Sequence, residues 1–203
     1  RWWELSAPAM DTCVGSTYSF PGIVTAMDFG EASVTLQSNS TSHTLLWDSV
    51  SYSFTNNNIS PSTLNSNTFY NLAPLTQLPG YEVSNIVLTS QSTIIYSPSI
   101  TSTEIPYISQ NQLFSWSPSG ADWIEIFLGR ADGLGGYLDE ITCIAYDDGS
   151  FMIDGSQWNS WATNQQIDIL FTRAVEHESI LPHNNATSRV VGSYIMYGAA
   201  LSQ

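Results

Sequence analysis

The chain has 203 residues, which is enough for one ordinary domain or two small ones, each with its own core. It carries 18 acidic residues against four arginines, has no lysine, and has a formal net charge of −14. A phosphate backbone or an anionic membrane surface would repel this charge, so nucleic-acid binding is excluded. The 42% of hydrophobic residues, with 12% aromatics, exclude a disordered chain.

The composition also bears on location. Charged residues make up only 11% of the chain, and Ser, Thr, Asn and Gln supply much of the remaining polarity, a balance typical of exported proteins. We therefore expect an extracellular, periplasmic or outer cell-surface protein. No run of about 18 apolar residues occurs, so we expect no membrane span. The first residues lack the apolar stretch of a signal peptide, and we expect either a signal cleaved before Arg1 or a longer precursor.

Alternation of apolar and polar residues recurs along the chain, whereas helical periodicity is scarce. The pattern predicts an all-β fold of antiparallel β-sandwich type, with little helix. In chain order the predicted strands are Ala32 to Ser38, His43 to Phe54, Tyr81 to Ser90, Thr93 to Tyr96, Leu113 to Trp116, Trp123 to Gly129, Tyr137 to Tyr146, Ile167 to Arg173 and Arg189 to Tyr197. Ser156 to Ala162 is predicted as one short helical turn.

The segment Ser97 to Pro106 reads as an extended connector, because it holds two prolines among serines and threonines. We place a boundary there, between an N-terminal β domain (1–100) and a C-terminal β-sandwich domain (101–203). One elongated sandwich is the alternative organisation.

Cys13 and Cys143 are the only cysteines, and they form no C-x-x-C or zinc-binding pattern. Either they form a disulfide or they are two inert thiols. An exported setting favours the disulfide. The other interpretation is that Cys143, which alternates with Ile141 and Ala145, is simply a small buried hydrophobe.

The second half offers a predicted core and predicted turns. The residues expected to be buried are Trp116, Ile126, Ile144 or Cys143, Phe151, Ile169 and Phe171. Asp147, Asp148 and Gly149 predict a turn, and the glycine-rich segment Gly129 to Gly136 predicts a hairpin.

Three strings in the second half occur in a characteristic order: FSWSPSGADWIEI from Phe114, ITCIAYDDGSFMI from Ile141, and ILFTR ending at Arg173. Together they resemble a β-sandwich domain common in exported proteins and lipoproteins of myxobacteria and related predatory or marine bacteria. The resemblance covers roughly residues 106 to 203, and here Asp154 stands where that family usually has proline. It implies a β-sandwich and an exported location, and the family has no defined enzymatic activity.

Acidic and histidine side chains supply two metal hypotheses. Carboxylates could gather calcium at one end of the sandwich, since hard cations take several oxygen ligands. The candidates are Asp132, Asp139, Asp147 and Asp148, with Glu140 and Asp154 nearby in sequence. Turn-forming and solubilising acids are the alternative interpretation. The segment EHESILPH could hold a metal through His177 and His183 beside Glu176 and Glu178, or it could be a polar loop. His43 is expected to be an exposed strand residue.

Seven tryptophans are present, and four of them are candidates for binding or contact surfaces. Trp158 and Trp161 lie three apart on the predicted helical turn and so share a face, which suits either a sugar-stacking platform or a cap on the sandwich. Trp2, Trp3 and Leu5 are too apolar to leave in water, so we expect them to contact a partner chain or to form an intramolecular first strand.

The first functional hypothesis is therefore a non-enzymatic exported structural or accessory subunit of a cell-surface or extracellular assembly, with protein partners and no cofactor. The alternatives are a carbohydrate-binding module with a polysaccharide ligand and a secreted hydrolase of unrecognised type. No G-x-S-x-G elbow or other catalytic motif supports the last of these.

Overall fold

The computed structural model of the chain describes residues 10–16, 31–49, 53–55, 68–77, 79–80, 86–87, 97–99, 105–134, 136–158 and 161–203. Its regular structure is almost entirely β, so the predicted all-β class is confirmed. The strands are β1 (Thr12–Ser16), β2 (Ser33–Gln37), β3 (Ser42–Asp48), β4 (Ser53–Thr55), β5 (Phe69–Leu72), β6 (Ile86–Val87), β7 (Tyr107–Ile108), β8 (Leu113–Ser115), β9 (Trp123–Ala131), β10 (Tyr137–Ala145), β11 (Ser150–Met152), β12 (Gln166–Ile180) and β13 (Thr187–Ser202).

A short 3₁₀ turn, Gly155–Trp158, overlaps the predicted helical segment. The Asp154 carboxylate accepts a hydrogen bond from the Ser156 main chain at 2.7 Å. Hydrogen bonds from the Ser156 side chain and main chain lower the pKa of Asp154. This residue therefore starts the turn as a capping acid.

A six-stranded sheet forms the centre of the C-terminal half, in the order β1-β10-β9-β12-β13-β7. Strand β9 pairs antiparallel with both β10 and β12, whereas β7 joins β13 in parallel. Leu128 pairs with Ile141 on one side and Ile169 on the other, and all three are fully buried. Because side chains alternate across a strand, the residues between these positions point to the opposite face of the sheet.

The two-stranded sheet of β8 and β11 supplies the second layer of this core. Phe114 of β8 lies with its ring centroid 6.2 Å from that of Phe171 on β12, and the Trp116 ring lies 5.3 Å from the same phenylalanine. These edge-to-face and tilted contacts join the two layers and bury large aromatic surfaces. The layered arrangement agrees with the predicted sandwich.

The predicted core is largely confirmed. Six of its members are buried: Trp116, Ile126, Cys143, Ile144, Ile169 and Phe171. Phe151 is half-buried and packs against the edge of the hydrophobic core. The prediction that it would be fully buried is therefore wrong. Its strand β11 pairs with β8 in the two-stranded sheet that forms the second layer. Ile144 and Cys143 are both buried, although they lie on opposite faces of β10.

The predicted disulfide is confirmed. The Sγ atoms of Cys13 and Cys143 lie 2.11 Å apart, and the two residues are direct partners in the antiparallel pairing of β1 with β10. The bridge therefore joins the N-terminal strand to a strand 130 positions later in the chain. Cys143 is also fully buried, so the packing role considered for it holds at the same time.

The N-terminal part forms a five-stranded sheet in the order β4-β3-β2-β5-β6. Tyr70 of β5 is fully buried, and its ring centroid lies 6.4 Å from that of His43 on β3. His43 is half-buried rather than exposed as predicted, because its ring turns towards this tyrosine. Glu31, also buried, accepts a hydrogen bond from the Gln77 main chain.

The chain divides into two compact units that are discontinuous in sequence. The first comprises Arg1–Phe20, Ser92–Ala174 and Ser193–Gln203, and the second comprises Pro21–Gln91 and Val175–Gly192. This division differs from the predicted boundary near residue 100. Main-chain pairing of β1 with β10 draws the start of the chain into the first unit, and the outer parts of β12 and β13 belong to the second.

Within the described residues, no helix has the length and apolar character required to cross a membrane.

Candidate functional site

The outer face of the six-stranded sheet, which points away from the core, carries a group of polar and aromatic side chains. Gly129 of β9 is paired with Glu140 of β10 and Asp168 of β12, one position along from the buried row at Leu128. Tyr137 of β10 and Tyr197 of β13 lie beside Asp168. We call Tyr137, Gln166, Asp168 and Tyr197 the tyrosine cluster.

The Asp168 carboxylate is the centre of this cluster. Its Oδ2 accepts a hydrogen bond from the Tyr137 hydroxyl at 3.3 Å, and its Oδ1 accepts one from Gln166 Nε2 at 3.2 Å. Tyr197, on the neighbouring strand β13, lies close enough for this carboxylate to influence the pKa of its phenol. Asp168 thus gathers side chains from three strands of one sheet.

Gly129, within strand β9, leaves room for the Tyr137 ring. A Cβ atom at Gly129 would lie 2.5 Å from two ring atoms of Tyr137 and 2.9 Å from the ring of Phe127. The Tyr137 ring therefore lies directly over the bare backbone of β9, a close approach that glycine permits in a strand. Its centroid is also 5.2 Å from that of Phe127, in edge-to-face contact. The ring is therefore held on two sides.

The electrostatics of the cluster are negative. Partial burial, then the negative charge of Asp168 and the hydrogen bond to it, raise the pKa of Tyr137 to about 12. Glu140 contributes to the same shift through its charge. Burial also raises the pKa of Tyr197, with Asp168 as the further cause. Both phenols stay protonated at neutral pH beside an acceptor carboxylate.

A second polar group lies inside the sandwich, where a buried carboxylate meets a buried guanidinium. Asp147 Oδ1 accepts a hydrogen bond from the Trp116 indole at 2.9 Å, and its Oδ2 accepts from the main chains of Ser119 and Ala121 at 2.7 and 2.9 Å. Arg173 Nη2 lies 3.6 Å from Asp147 Oδ1, and the two side chains are 1% and 2% exposed.

Arg173 also donates to the Ser117 carbonyl oxygen at 2.6 Å. The pair therefore fixes the segment 116–121 onto β12 from the inside. Its position indicates a structural role, and solvent does not reach it.

The structure does not bring the four calcium candidates together. Asp139 forms an ion pair with Arg130, at 2.6 Å between oxygen and nitrogen. Asp132 accepts hydrogen bonds from the main chains of Leu134 and Gly136 within the hairpin loop. Asp147 is bonded to Trp116 and faces Arg173, as described above. Asp148 lies in its own turn, where it accepts from Ser150 at 3.3 Å. Each acid holds a turn or a neighbouring strand, which is the alternative interpretation given above.

The histidine candidates also do not form a metal centre. Glu176, His177 and Glu178 line an open depression together with Thr187. His183 lies in the turn between β12 and β13, where its main chain donates to Gly80 at 2.9 Å. Among the residues that the structure describes, no group of three or more His, Cys, Asp or Glu side chains could hold a metal ion.

The structure describes only one of the tryptophan side chains that were predicted to form a binding or contact surface. Trp161 is half-buried and packs against the hydrophobic core, which favours the capping role over the sugar platform. The side chain of Trp158 lies outside the described residues, and so do Trp2, Trp3 and Leu5.

Sequence reasoning missed the tyrosine cluster altogether. Tyr137, Asp168 and Tyr197 lie far apart in the chain, on strands where tyrosine is common. One signal was present, since Gly129 interrupts an otherwise apolar strand and so marks a close approach by another group.

These features define an all-β, disulfide-bonded, sandwich-like protein with an acidic aromatic surface. No family model, curated protein or solved structure matches the chain. The resemblance to exported myxobacterial domains stays a prediction.

Proposed function

We propose that this protein is exported and acts without catalysis, as a structural or accessory subunit at a cell surface or in an extracellular assembly. The disulfide between Cys13 and Cys143 is the observation that carries the proposal. Structural disulfides form and persist in oxidising compartments and are rare in a reducing cytosol. The bond joins β1 to its neighbouring strand β10 within the sheet, so it belongs to the folded architecture.

Composition supports the same location. The surface relies on neutral polar residues and acids, with no lysine among 203 residues. A strongly negative protein stays soluble and avoids nonspecific contact with nucleic acids and anionic membranes. The resemblance of residues 106 to 203 to exported bacterial β-sandwich domains adds to this proposal.

The exposed part of the tyrosine cluster favours a role in binding. The Asp147 and Arg173 pair is closed to solvent, whereas Tyr197 of the tyrosine cluster is 59% exposed. Exposed aromatic side chains next to fixed hydrogen-bonding groups are features of recognition surfaces. We propose that the protein works by holding a partner or ligand on this acidic aromatic face.

Cell fractionation combined with thiol alkylation tests the location. We expect the natural chain in the extracellular or envelope fraction. Alkylation is carried out in denaturant because Cys143 is buried, and it should label no cysteine before reduction and two afterwards. A Cys13→Ser variant provides the matched control, because its single Cys143 thiol must be labelled without reduction. Recovery of the wild-type chain in the cytosol with two reactive thiols would overturn the proposal.

Two screens test the mode of action. An active-serine probe and a broad panel of hydrolase substrates should give no labelling and no turnover, and reproducible turnover would reject the non-enzymatic role. An oligosaccharide array tests the alternative of a carbohydrate-binding module. Micromolar glycan binding, with a change in tryptophan fluorescence, would favour that alternative over a structural subunit.

A further inference from the structure

We propose that the tyrosine cluster is a binding site for an organic ammonium ion. The site consists of the Asp168 carboxylate on the outer face of the sheet, flanked by the rings of Tyr137 and Tyr197. The ligand class is a substituted amine that is positively charged at neutral pH.

Asp168 is a carboxylate without a cationic partner among the described residues. Its hydrogen-bond donors among the described residues are neutral, namely the Tyr137 hydroxyl and the Gln166 carboxamide, and the nearby Tyr197 phenol is also uncharged. Neutral donors orient a carboxylate but leave its charge uncompensated. The charge therefore remains available to a ligand.

The chain has few cations that could fill this role. It contains no lysine and four arginines. The two arginines whose side chains are described are engaged elsewhere, Arg130 with Asp139 and Arg173 with Asp147. Glu140, beside Gly129 in the register, adds a second negative charge near the cluster. A cation is thus the complementary ligand for this surface.

The tyrosine rings make an organic ammonium a better fit than a bare metal ion. The face of an aromatic ring attracts cations, and substituted ammonium groups also bury their alkyl carbons against it. Tyr197 is 59% exposed and can cover a ligand, whereas Tyr137 is fixed over Gly129 and against Phe127. One ring is therefore held in advance and the other is accessible, which lowers the ordering cost of binding.

Two sources could supply the same chemistry. The ammonium group could belong to a free small molecule such as a choline-type compound or a polyamine. It could also be the side chain of a lysine on the surface of a protein partner. The experiment below includes an arm for each source.

The primary measurement compares choline with dimethylbutanol, its neutral carbon isostere, by NMR titration of the wild-type protein. The two molecules have nearly the same shape, so a difference between them reports the positive charge. We expect choline to shift tyrosine ring resonances in a saturable way and dimethylbutanol to bind at least about tenfold more weakly. Equal binding of the two would overturn the proposal, and so would the absence of binding by both choline and the lysine peptide described below.

Variants then locate the site. Asp168→Asn keeps the size of the side chain, removes its charge and exchanges one acceptor oxygen for a donor amide, while Tyr197→Ala removes the exposed ring. Each should weaken choline binding about tenfold. Tyr146→Ala is the matched control, because Tyr146 is similarly exposed at 53% and lies outside the cluster. Unchanged affinity in both cluster variants, confirmed as folded by circular dichroism, would reject the site.

A peptide carrying one lysine, titrated beside its Nε-acetylated form, distinguishes the sources. Saturable binding of the lysine peptide that requires Asp168 assigns the ammonium group to a protein partner, and binding of choline alone assigns it to a small molecule. If neither binds, and neutral glycans bind in a manner that requires Tyr197, the site recognises sugars and the ammonium proposal is wrong.

Discussion

Asp147 shows how one side chain can stabilise several parts of a β-sandwich. Its two oxygens accept hydrogen bonds from Trp116, Ser119 and Ala121 while facing the guanidinium of Arg173. We predict that Asp147→Ala lowers the free energy of unfolding by about 3 to 5 kcal/mol, because it leaves a buried cation and several donors without their acceptor. Urea unfolding followed by tryptophan fluorescence measures this loss.

Asp148→Ala is the control for that experiment. Asp148 is the next residue, is exposed, and accepts a single long hydrogen bond from Ser150 at 3.3 Å. Its replacement should cost less than about 1 kcal/mol. Similar losses in the two variants would show that the turn, rather than the buried pair, dominates the effect.

The raised pKa of Tyr137 predicts that the stability of the fold depends on pH in the alkaline range. Its pKa is raised from 10.0 to about 12, so folding favours the protonated phenol. The stabilisation is fully present below pH 10 and is lost as the pH rises towards 12, because the unfolded state releases its proton first. We predict that the free energy of unfolding falls across this window in wild type and falls less steeply in Tyr137→Phe.

Near-ultraviolet phenolate absorbance gives the direct measurement. The difference between the wild-type and Tyr137→Phe titrations isolates one phenol among the ten tyrosines. An isolated transition close to pH 10 would contradict the environment described for this residue.

At the scale of elements, alternation predicted the central strands because each has one face in a core. The predicted segments at Trp123 and Tyr137 match β9 and β10 to within two residues at either end. Short marginal strands such as β5, β7 and β11 were missed, since two to four residues carry too little periodicity. The end of β12 was missed for another reason: its sequence after Ala174 turns polar while the backbone stays extended.

Gly129 links strand geometry to the tyrosine cluster and supports a third prediction. A methyl group at this position would meet the Tyr137 ring at 2.5 Å, so Gly129→Ala must displace the ring. We expect a loss of about 1 to 3 kcal/mol in unfolding free energy from overpacking. The isolated phenol transition of Tyr137 should also move back towards its ordinary pKa.

Gly15→Ala is the matched control, because Gly15 is also a strand glycine. A Cβ atom there would lie 3.4 Å from the nearest atom, an ordinary contact. This variant should be neutral or slightly stabilising, since alanine reduces the freedom of the unfolded chain. A Gly129→Ala protein as stable as the Gly15→Ala protein would show that the ring moves aside without cost.

The cluster itself could not be predicted from the sequence, for a reason that lies in the register. Tyr137, Asp168 and Tyr197 are each about 30 residues apart and come from three strands. Only the order β10-β9-β12-β13 and the alignment of Gly129 with Asp168 bring them together. A shift of one residue would turn Asp168 into the core. The two cysteines were predictable as a pair because no other partner exists for either.

At the scale of the whole molecule, the disulfide closes a loop of most of the chain. Cys13 and Cys143 are separated by 130 positions, so the bond removes much of the freedom of the unfolded state. We predict that the double variant Cys13→Ala with Cys143→Ala loses roughly 4 to 5 kcal/mol in the chain-entropy model. Denaturant midpoints with and without reductant measure the same difference in wild type, and reductant should leave the double variant unchanged. A wild-type midpoint that reductant does not alter would contradict this role.

The charge of the whole chain predicts its response to salt. With 18 acidic residues and four arginines, repulsion among carboxylates opposes the compact state. Salt also weakens attractive pairs, but of the two ion pairs seen among the described residues the Asp147 and Arg173 pair is buried, which leaves the partly exposed Arg130 and Asp139 pair open to screening. Repulsion therefore dominates, and the melting temperature should rise as the Debye length falls from about 30 Å at 0.01 M salt to about 8 Å at 0.15 M.

Choline chloride at the same ionic strength as sodium chloride separates screening from binding. Screening depends on ionic strength alone, whereas a ligand that binds only the folded state adds stability that grows with its concentration. The melting temperature should therefore be higher in choline chloride than in sodium chloride, and Asp168→Asn should remove the excess while keeping the rise common to both salts. A melting temperature that falls with sodium chloride would show that attractive ion pairs outweigh the net repulsion in this fold.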